Sequence, residues 1–332
     1  MATLFFSVGC SDKNGGAKSP IISIQGSTMG TTFSVKAVLD GDTPITEAYL
    51  SKEVNITLKA FNQSLSTYIL DSELSILNNA PVGEWIELSD VLLNVLDMSG
   101  KVYRESSGAF DVTIGPLVNR WGFGPLDVTD LPSQEEVTRL LDEMGFESLE
   151  ISGNKLRKQK AVYIDLSAIA KGHATDVVAN RLGSLGFKNY MVEIGGELKI
   201  KGVNGNGKTW TIGVEKPTLG RSGAVQAVSG NDIAIATSGD YRNYLEQDGK
   251  RISHTIDPKT GRPIEHKLAS VTVITKLGGL ADAYATAINV LGPEKGMVMA
   301  EQLSLAAYFL VREDDGFRVD MTEEFKRYMV DL

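Results

Sequence analysis

The sequence predicts an α+β fold in which mixed sheets pack against helices. Two observations carry this. Strand-like alternation and helix-like periodicity are interspersed without the regular βαβ rhythm of a doubly wound sheet. No dinucleotide-binding glycine fingerprint is present either: the Asn-Gly steps of Gly202-Val-Asn-Gly-Asn-Gly207 lie between strand-like runs and read as a hairpin turn.

The elements follow in order. Ile22 to Leu39 reads as a pair of strands around a Ser-Thr-Met-Gly turn, and Pro44 to Phe61 as a helix with Pro in its first turn. Ser72 to Asn79 is a short helix, and Ser89 to Ser106 a longer amphipathic one with Ser89 as N-cap. Ser133 and Glu136 have capping-box spacing and open another helix. Ala161 to Leu166 reads as a β-run leading into a helix that contains Lys171-Gly172 and continues to about Leu185. Asn189 to Ala236 gives short strands and glycine turns, as in a curved sheet, and Ala269 to Thr275 a further strand. Two helices follow, Ala281 to Leu291 and Glu294 to Gln302.

Composition narrows the function. With 332 residues, 42% of them hydrophobic, the chain can bury one large core or two modest ones. A formal net charge of -9 without a Lys/Arg run argues against nucleic acid as a partner, because phosphate backbones demand a clustered basic surface. No stretch has the roughly 18 consecutive apolar residues of a membrane-spanning helix.

The beginning of the chain points to a lipid anchor. Leu4-Phe-Phe-Ser-Val-Gly-Cys10 is an apolar run closing on small residues before the only cysteine, followed by a polar, glycine-rich spacer. It looks like the tail of a bacterial lipoprotein signal with Cys10 as the lipidated residue, although the run is short and lacks a basic n-region. Residues 1–20 are therefore expected to be signal remnant and linker, and 21–332 the functional domain, as one body or as two lobes around a cleft.

Two oxygen-rich clusters about a hundred residues apart suggest a hard cation over a phosphate: Asp165-Leu-Ser-Ala-Ile-Ala-Lys-Gly172 and Ala281-Asp-Ala-Tyr-Ala-Thr286. On a helix, Asp282 and Thr286 project from one face. Between the clusters, Ser253-His-Thr-Ile-Asp-Pro-Lys-Thr-Gly-Arg-Pro263 places an imidazole, a carboxylate and two cations in a turn-rich segment. Each signal alone is ordinary: an Asp-x-x-x-Thr pair is usually a solvated face, and Asp257-Pro-Lys-Thr-Gly261 is turn chemistry. Zinc is excluded by inventory, since one Cys and only His173, His254 and His266 cannot supply its usual ligands at motif spacing.

Taken together the motifs resemble those of the FAD:protein FMN transferases, the ApbE-like flavin transferases. The resemblance runs from about Gly26 to the C-terminus through Ser27-Thr-Met-Gly30, Ser66-Thr-Tyr68, Gly108-Ala-Phe-Asp-Val-Thr-Ile-Gly-Pro116, Trp121-Gly-Phe-Gly124 and the Asp165 to Gly172 cluster. Gly195-Gly-Glu197, Thr237-Ser-Gly-Asp-Tyr-Arg242, His254-Thr-Ile-Asp-Pro258 and Ala281-Asp282 with Thr286 complete it. It implies an ApbE-like, T-fold-related architecture with FAD in a central cleft, and an enzyme that cuts FAD at its pyrophosphate and joins the FMN half to a Ser or Thr of another protein. Met29, Tyr68, Ala109, Phe110, Asp111, Asp165, Lys171 and Ile256 should then contact FAD. Mg²⁺ should be held by Asp282, Thr286 and the backbone carbonyl of Ala168. His254 is the candidate base, with Asp257 orienting its loop, whereas His173 and His266 should be structural and solvent-facing respectively.

Two other activities fit the same residues: an FAD pyrophosphatase releasing FMN and AMP, and a non-catalytic periplasmic FAD carrier. By resemblance, the acceptors are subunits of redox-driven membrane complexes such as the sodium-pumping NADH:quinone oxidoreductase and Rnf-type complexes. That would suit a periplasmic lipoprotein tied to the membrane only through Cys10.

Overall fold

A computed structural model of the chain describes residues 18–41, 44–125, 128, 130–217, 223–239, 244–247 and 250–331. The segment holding Cys10, and the Asp240 to Arg242 part of one motif, lie outside the described residues. Eight strands form one antiparallel sheet whose spatial order follows chain order: β1 (Ile21–Thr28), β2 (Thr31–Val38), β3 (Tyr190–Ile194), β4 (Glu197–Lys201), β5 (Ile233–Gly239), β6 (Leu268–Thr275), β7 (Ala306–Glu313) and β8 (Gly316–Met321). β1 and β2 are joined by Met29-Gly30, both at positive φ (49° and 69°), the two-residue turn that matches strand twist.

Both faces of the sheet are covered, and β7 shows how. Ala307, Phe309 and Val311 point into the main core, whereas Ala306, Tyr308 and Leu310 point the other way, as the two-residue strand period dictates. The main core lies under helices α1 (Glu47–Leu65), α2 (Glu73–Asn79) and α3 (Asp90–Glu105), together with two further helices over Ser167–Ser184 and Gly278–Gln302. On the opposite face, Trp210, Val214, Val228 and Phe325 come from a small three-stranded sheet and the C-terminal segment. A third apolar cluster joins α4 (Gly115–Arg120) and α5 (Gln134–Asp142) to Ile256. There Trp121 Nε1 donates to Gly261 O at 2.8 Å and pins the turn that follows His254.

α6 (Ser167–Ser184) and α7 (Gly278–Gln302) cross in direct backbone contact. A Cβ on Gly172 would lie 2.1 Å from the Gly278 carbonyl oxygen and 2.7 Å from Asp282 Cβ, so only glycine permits this approach. Asp176 of α6 accepts from the amides of Gly278 (2.8 Å) and Gly279 (3.1 Å), capping the N-terminus of α7 from the neighbouring helix. Gly172→Ala is expected to cost about 3 kcal/mol, read as a fall in thermal unfolding midpoint. An unchanged midpoint would show that the crossing can open at no cost.

Several elements depart from the sequence reading, each for a local reason. α1 begins at Glu47 because Thr46, not the region around Pro44, supplies the capping oxygen to Tyr49 N, and it continues to Leu65. No strand forms over residues 161–166; a bridge between Ile114 and Tyr163, the bond from Asp165 N to Val112 O (2.7 Å) and two bonds between Ile164 and the Asn78 side chain (2.7 and 2.9 Å) hold that segment instead. α7, by contrast, follows the two-helix reading: it is two helical segments separated by a kink at Gly292 (φ 78°), before Pro293. Pro293 has no N–H to give the carbonyl of Asn289. His266 supplies the missing donor, with Nε2 2.6 Å from Asn289 O, so His266 is half-buried against the kink and not solvent-facing.

Candidate active site

One cleft of about 1440 Å³ opens between the helices and the sheet. It exceeds the roughly 300–1,000 Å³ of pockets for drug-sized ligands. The Met29-Gly30 turn, the Ser66–Ile69 loop, Ala109–Val112, the start of α6, the β3–β4 turn, β5, the His254–Ile256 segment and the Asp282 and Thr286 face of α7 all line it. Thus Met29, Tyr68, Ala109, Phe110, Asp111, Asp165, Lys171 and Ile256 are brought together with Ala168, Asp282, Thr286 and His254. Asp257 is not among the lining residues. Its carboxylate accepts from Lys259 N (2.8 Å) and Thr260 Oγ1 (3.2 Å), which closes the Asp257–Gly261 turn behind the cleft.

The aromatic and apolar groups occupy one part of the cleft. Tyr68 is 68% exposed at its rim, and burial and then the nearby Asp165 charge push its phenol up from the usual value. Phe110 and Ala109 are buried in its wall. Asp111 accepts from Thr113 N (2.8 Å) and Thr113 Oγ1 (2.7 Å), yet its burial outweighs those bonds and raises its carboxyl. Asp165 accepts from Ser167 N (2.7 Å) at the start of α6. Phe123 meets His254 edge-on, with ring centroids 6.3 Å apart.

Charge gathers where α6, α7 and the β3–β4 turn meet. Lys171 Nζ lies 3.0 Å from Glu197 Oε1 and 3.9 Å from Asp282 Oδ2, and Asp282 Oδ2 also accepts from Gly172 N at 2.9 Å. Burial works to lower the Lys171 pKa, but the two carboxylates outweigh it and hold the ammonium charged well above its ordinary value. Burial raises Glu197, with Asp282 adding to the shift and Lys171 opposing it. The β3–β4 turn makes room for the lysine stem: a Cβ on Gly195 (φ 60°) would lie 3.2 Å from Lys171 Cδ and 2.9 Å from Thr31 Cγ2.

The donors on the α7 wall are oxygens: the Asp282 carboxylate, the Thr286 hydroxyl, 3.3 Å from Ser238 Oγ, and the first turn of α6 with Ala168. Among the described residues, no group of three or more His, Cys, Asp or Glu side chains is placed to hold a metal ion. A hard cation such as Mg²⁺ needs no such group, because one or two carboxylates with neutral oxygens suffice. Glu197 and Ser238 stand in two of the motifs quoted from the sequence but were given no role there. A Glu after a glycine pair has no diagnostic spacing, and its partner Lys171 is reached only through the folded sheet.

His173 stands apart from this chemistry. It is buried beside Phe61, neither ring nitrogen has a hydrogen-bond partner among the described residues, and burial pushes its pKa down to about 4. Above the ordinary value near 6.5 both folded and unfolded chains are neutral at this site, so it costs nothing. As pH falls the unfolded chain takes the proton first, and stability drops across that window by about 3 kcal/mol in total. Urea unfolding of wild type and His173→Leu at pH 7.5 and 4.5 should show the variant gaining relative stability at the acid end. A difference independent of pH would mean that the imidazole is not held neutral.

Residues 29–309 match the ApbE family. FAD:protein FMN transferases from Vibrio cholerae and Haemophilus influenzae are each 43% identical to this chain, covering 93% of it and 92% of their own length. The flavin transferase ApbE structure from Vibrio cholerae superposes with a TM-score of 0.87 at 42% identity, over 93% of this chain and 99% of that one. Apo flavinyl transferase ApbE from Pseudomonas stutzeri gives 0.86 at 40% identity, over 94% and 97%. With identity on this scale spanning nearly the whole fold, the chain belongs to the ApbE family of flavin transferases.

Proposed function

We propose that this enzyme transfers the FMN half of FAD to a Ser or Thr hydroxyl of an acceptor protein, assisted by Mg²⁺ held by Asp282, Thr286 and the Ala168 carbonyl. The observation that carries the reading is the near full-length kinship with curated FAD:protein FMN transferases, whose name describes transfer of FMN from FAD to a protein. That name favours neither FAD hydrolysis as the main activity nor a carrier role.

The residues divide the work. The Tyr68 and Phe110 side of the cleft receives flat rings, where aromatic faces and the Met29 thioether make stacking and polarizable contacts. Lys171 meets phosphate charge from the α6 side. When bound, the metal neutralises charge developing on the phosphoryl oxygens. His254 takes the proton of the attacking hydroxyl as its oxygen bonds to the flavin-side phosphorus, and the bond from that phosphorus to the bridging oxygen breaks, so that AMP leaves with that oxygen.

The acceptor is read as a subunit of a redox-driven membrane complex, of the sodium-pumping NADH:quinone oxidoreductase or Rnf type. The enzyme would reach it from the periplasmic side, tethered through Cys10. The apolar run before Cys10 and the polar spacer after it support that placement. Incubation with FAD, Mg²⁺ and such a subunit should leave flavin fluorescence on the denatured acceptor, together with one AMP per flavin attached. AMP released without attached flavin would make the protein a hydrolase.

A further inference from the structure

We propose that Glu197 is a positioning residue that holds Lys171 away from Asp282 and so keeps the Asp282 carboxylate open to a cation. The inference rests on the magnesium reading given above. Lys171 Nζ is 3.0 Å from Glu197 Oε1, a hydrogen-bond distance, but 3.9 Å from Asp282 Oδ2, which is beyond one. One ammonium therefore faces two carboxylates and is committed to only one of them.

The surroundings explain why the arrangement is stable. The Glu197 and Asp282 side chains are 6% and 4% exposed, whereas Lys171 is 31% exposed, so the lysine is the least enclosed of the three. Glu197 enters from the strand following Gly195-Gly196, beside α7, and draws the ammonium toward the sheet. Its other oxygen, Oε2, is buried without a hydrogen-bond partner among the described residues, so Lys171 is the only cation that Glu197 is seen to hold there. Asp282 is meanwhile fixed by Gly172 N at 2.9 Å, a bond that holds the carboxylate without neutralising it. With the Glu197 charge removed, Asp282 becomes the stronger attractor. The ammonium then moves onto it, and an incoming cation has to displace the lysine first.

The test is calorimetric titration of Mg²⁺ alone into the flavin-free protein. Glu197→Gln is expected to weaken Mg²⁺ binding roughly tenfold or more, and adding Lys171→Met to it to bring affinity back to within about threefold of wild type, the signature of a coupled pair. Unchanged affinity in Glu197→Gln, or a double variant as weak as the single one, overturns the proposal. A merely structural role for Glu197 predicts the latter, since a second buried substitution would not repair the first. Asp282→Asn serves as the control: if it binds Mg²⁺ as wild type does, the magnesium reading itself fails and this inference with it. Should Glu197→Gln not fold, as judged by circular dichroism, Lys171→Met alone carries the test. It must bind Mg²⁺ at least as tightly as wild type, and weaker binding overturns the proposal.

Discussion

Asp282→Ala is expected to lower FMN transfer to background, a loss of roughly 10³-fold or more from removing metal-assisted charge stabilisation, while FAD affinity should fall far less. The carboxylate is 3% exposed on the cleft wall of α7, and it also accepts the Gly172 amide at 2.9 Å. The alanine variant thus also removes that hydrogen bond and should lose about 1 kcal/mol of stability as well. Asp282→Asn separates the two effects, because an amide oxygen can still accept from Gly172 while the charge is gone. It should unfold close to wild type and remain inactive. Transfer by Asp282→Asn at a near wild-type rate would remove Asp282 from the metal site. Ala168→Gly, which alters no backbone oxygen, should retain metal binding far better than either.

His254→Asn is expected to cut turnover by roughly 10²-fold, the usual size of a general-base contribution, and to leave FAD and Mg²⁺ binding in place. The side chain lines the cleft, edge-on to Phe123, between the buried Ser253 and Thr255. Its backbone is fixed from behind by the Asp257–Gly261 turn and the bond from Trp121 to Gly261 O. The wild-type rate should fall as pH is lowered and the imidazole takes up its proton, and the Asn variant should lack that limb. An unchanged acid limb in the variant would assign proton transfer to another group. Loss of FAD binding would make His254 a ligand-holding residue.

The parts of the fold that were legible in the sequence are those written in short-range chemistry. Ser89 caps α3 by accepting from Leu92 N, and Ser133 with Glu136 forms the full capping box of α5. The Met29-Gly30 turn was visible between two strand-like runs. Less legible were elements whose residues disguise them. Lys155–Lys158 pairs with Trp85–Glu87 and Leu149–Ser152 as a small sheet, yet its Lys-Leu-Arg-Lys sequence reads as charged surface. α4 begins at Gly115-Pro116, which looks like a turn, although Pro is at home in a first helical turn. In the site, the Asp282 and Thr286 spacing follows helix geometry and was readable. The link between Lys171 and Glu197 was not, because it depends on two segments that meet only after the sheet and α6 have packed.

The order of the strands in the large sheet also sets how the chain must assemble. β1 and β2 meet across two residues, and β3 and β4 across Gly195-Gly196. The pairing of β2 with β3, by contrast, joins Val35 to Val192 and encloses every helix from α1 to α6. Closing a loop of roughly 150 residues costs about 4 kcal/mol of chain entropy before that ladder returns anything. The step is therefore of high contact order and belongs late in folding, after the two hairpins have formed as local units. The β3–β4 turn that carries Glu197 faces Lys171 and Met29 only once β2 and β3 have zipped. In a chain emerging from the ribosome, the flavin cleft cannot exist until well over half of the sequence has been made.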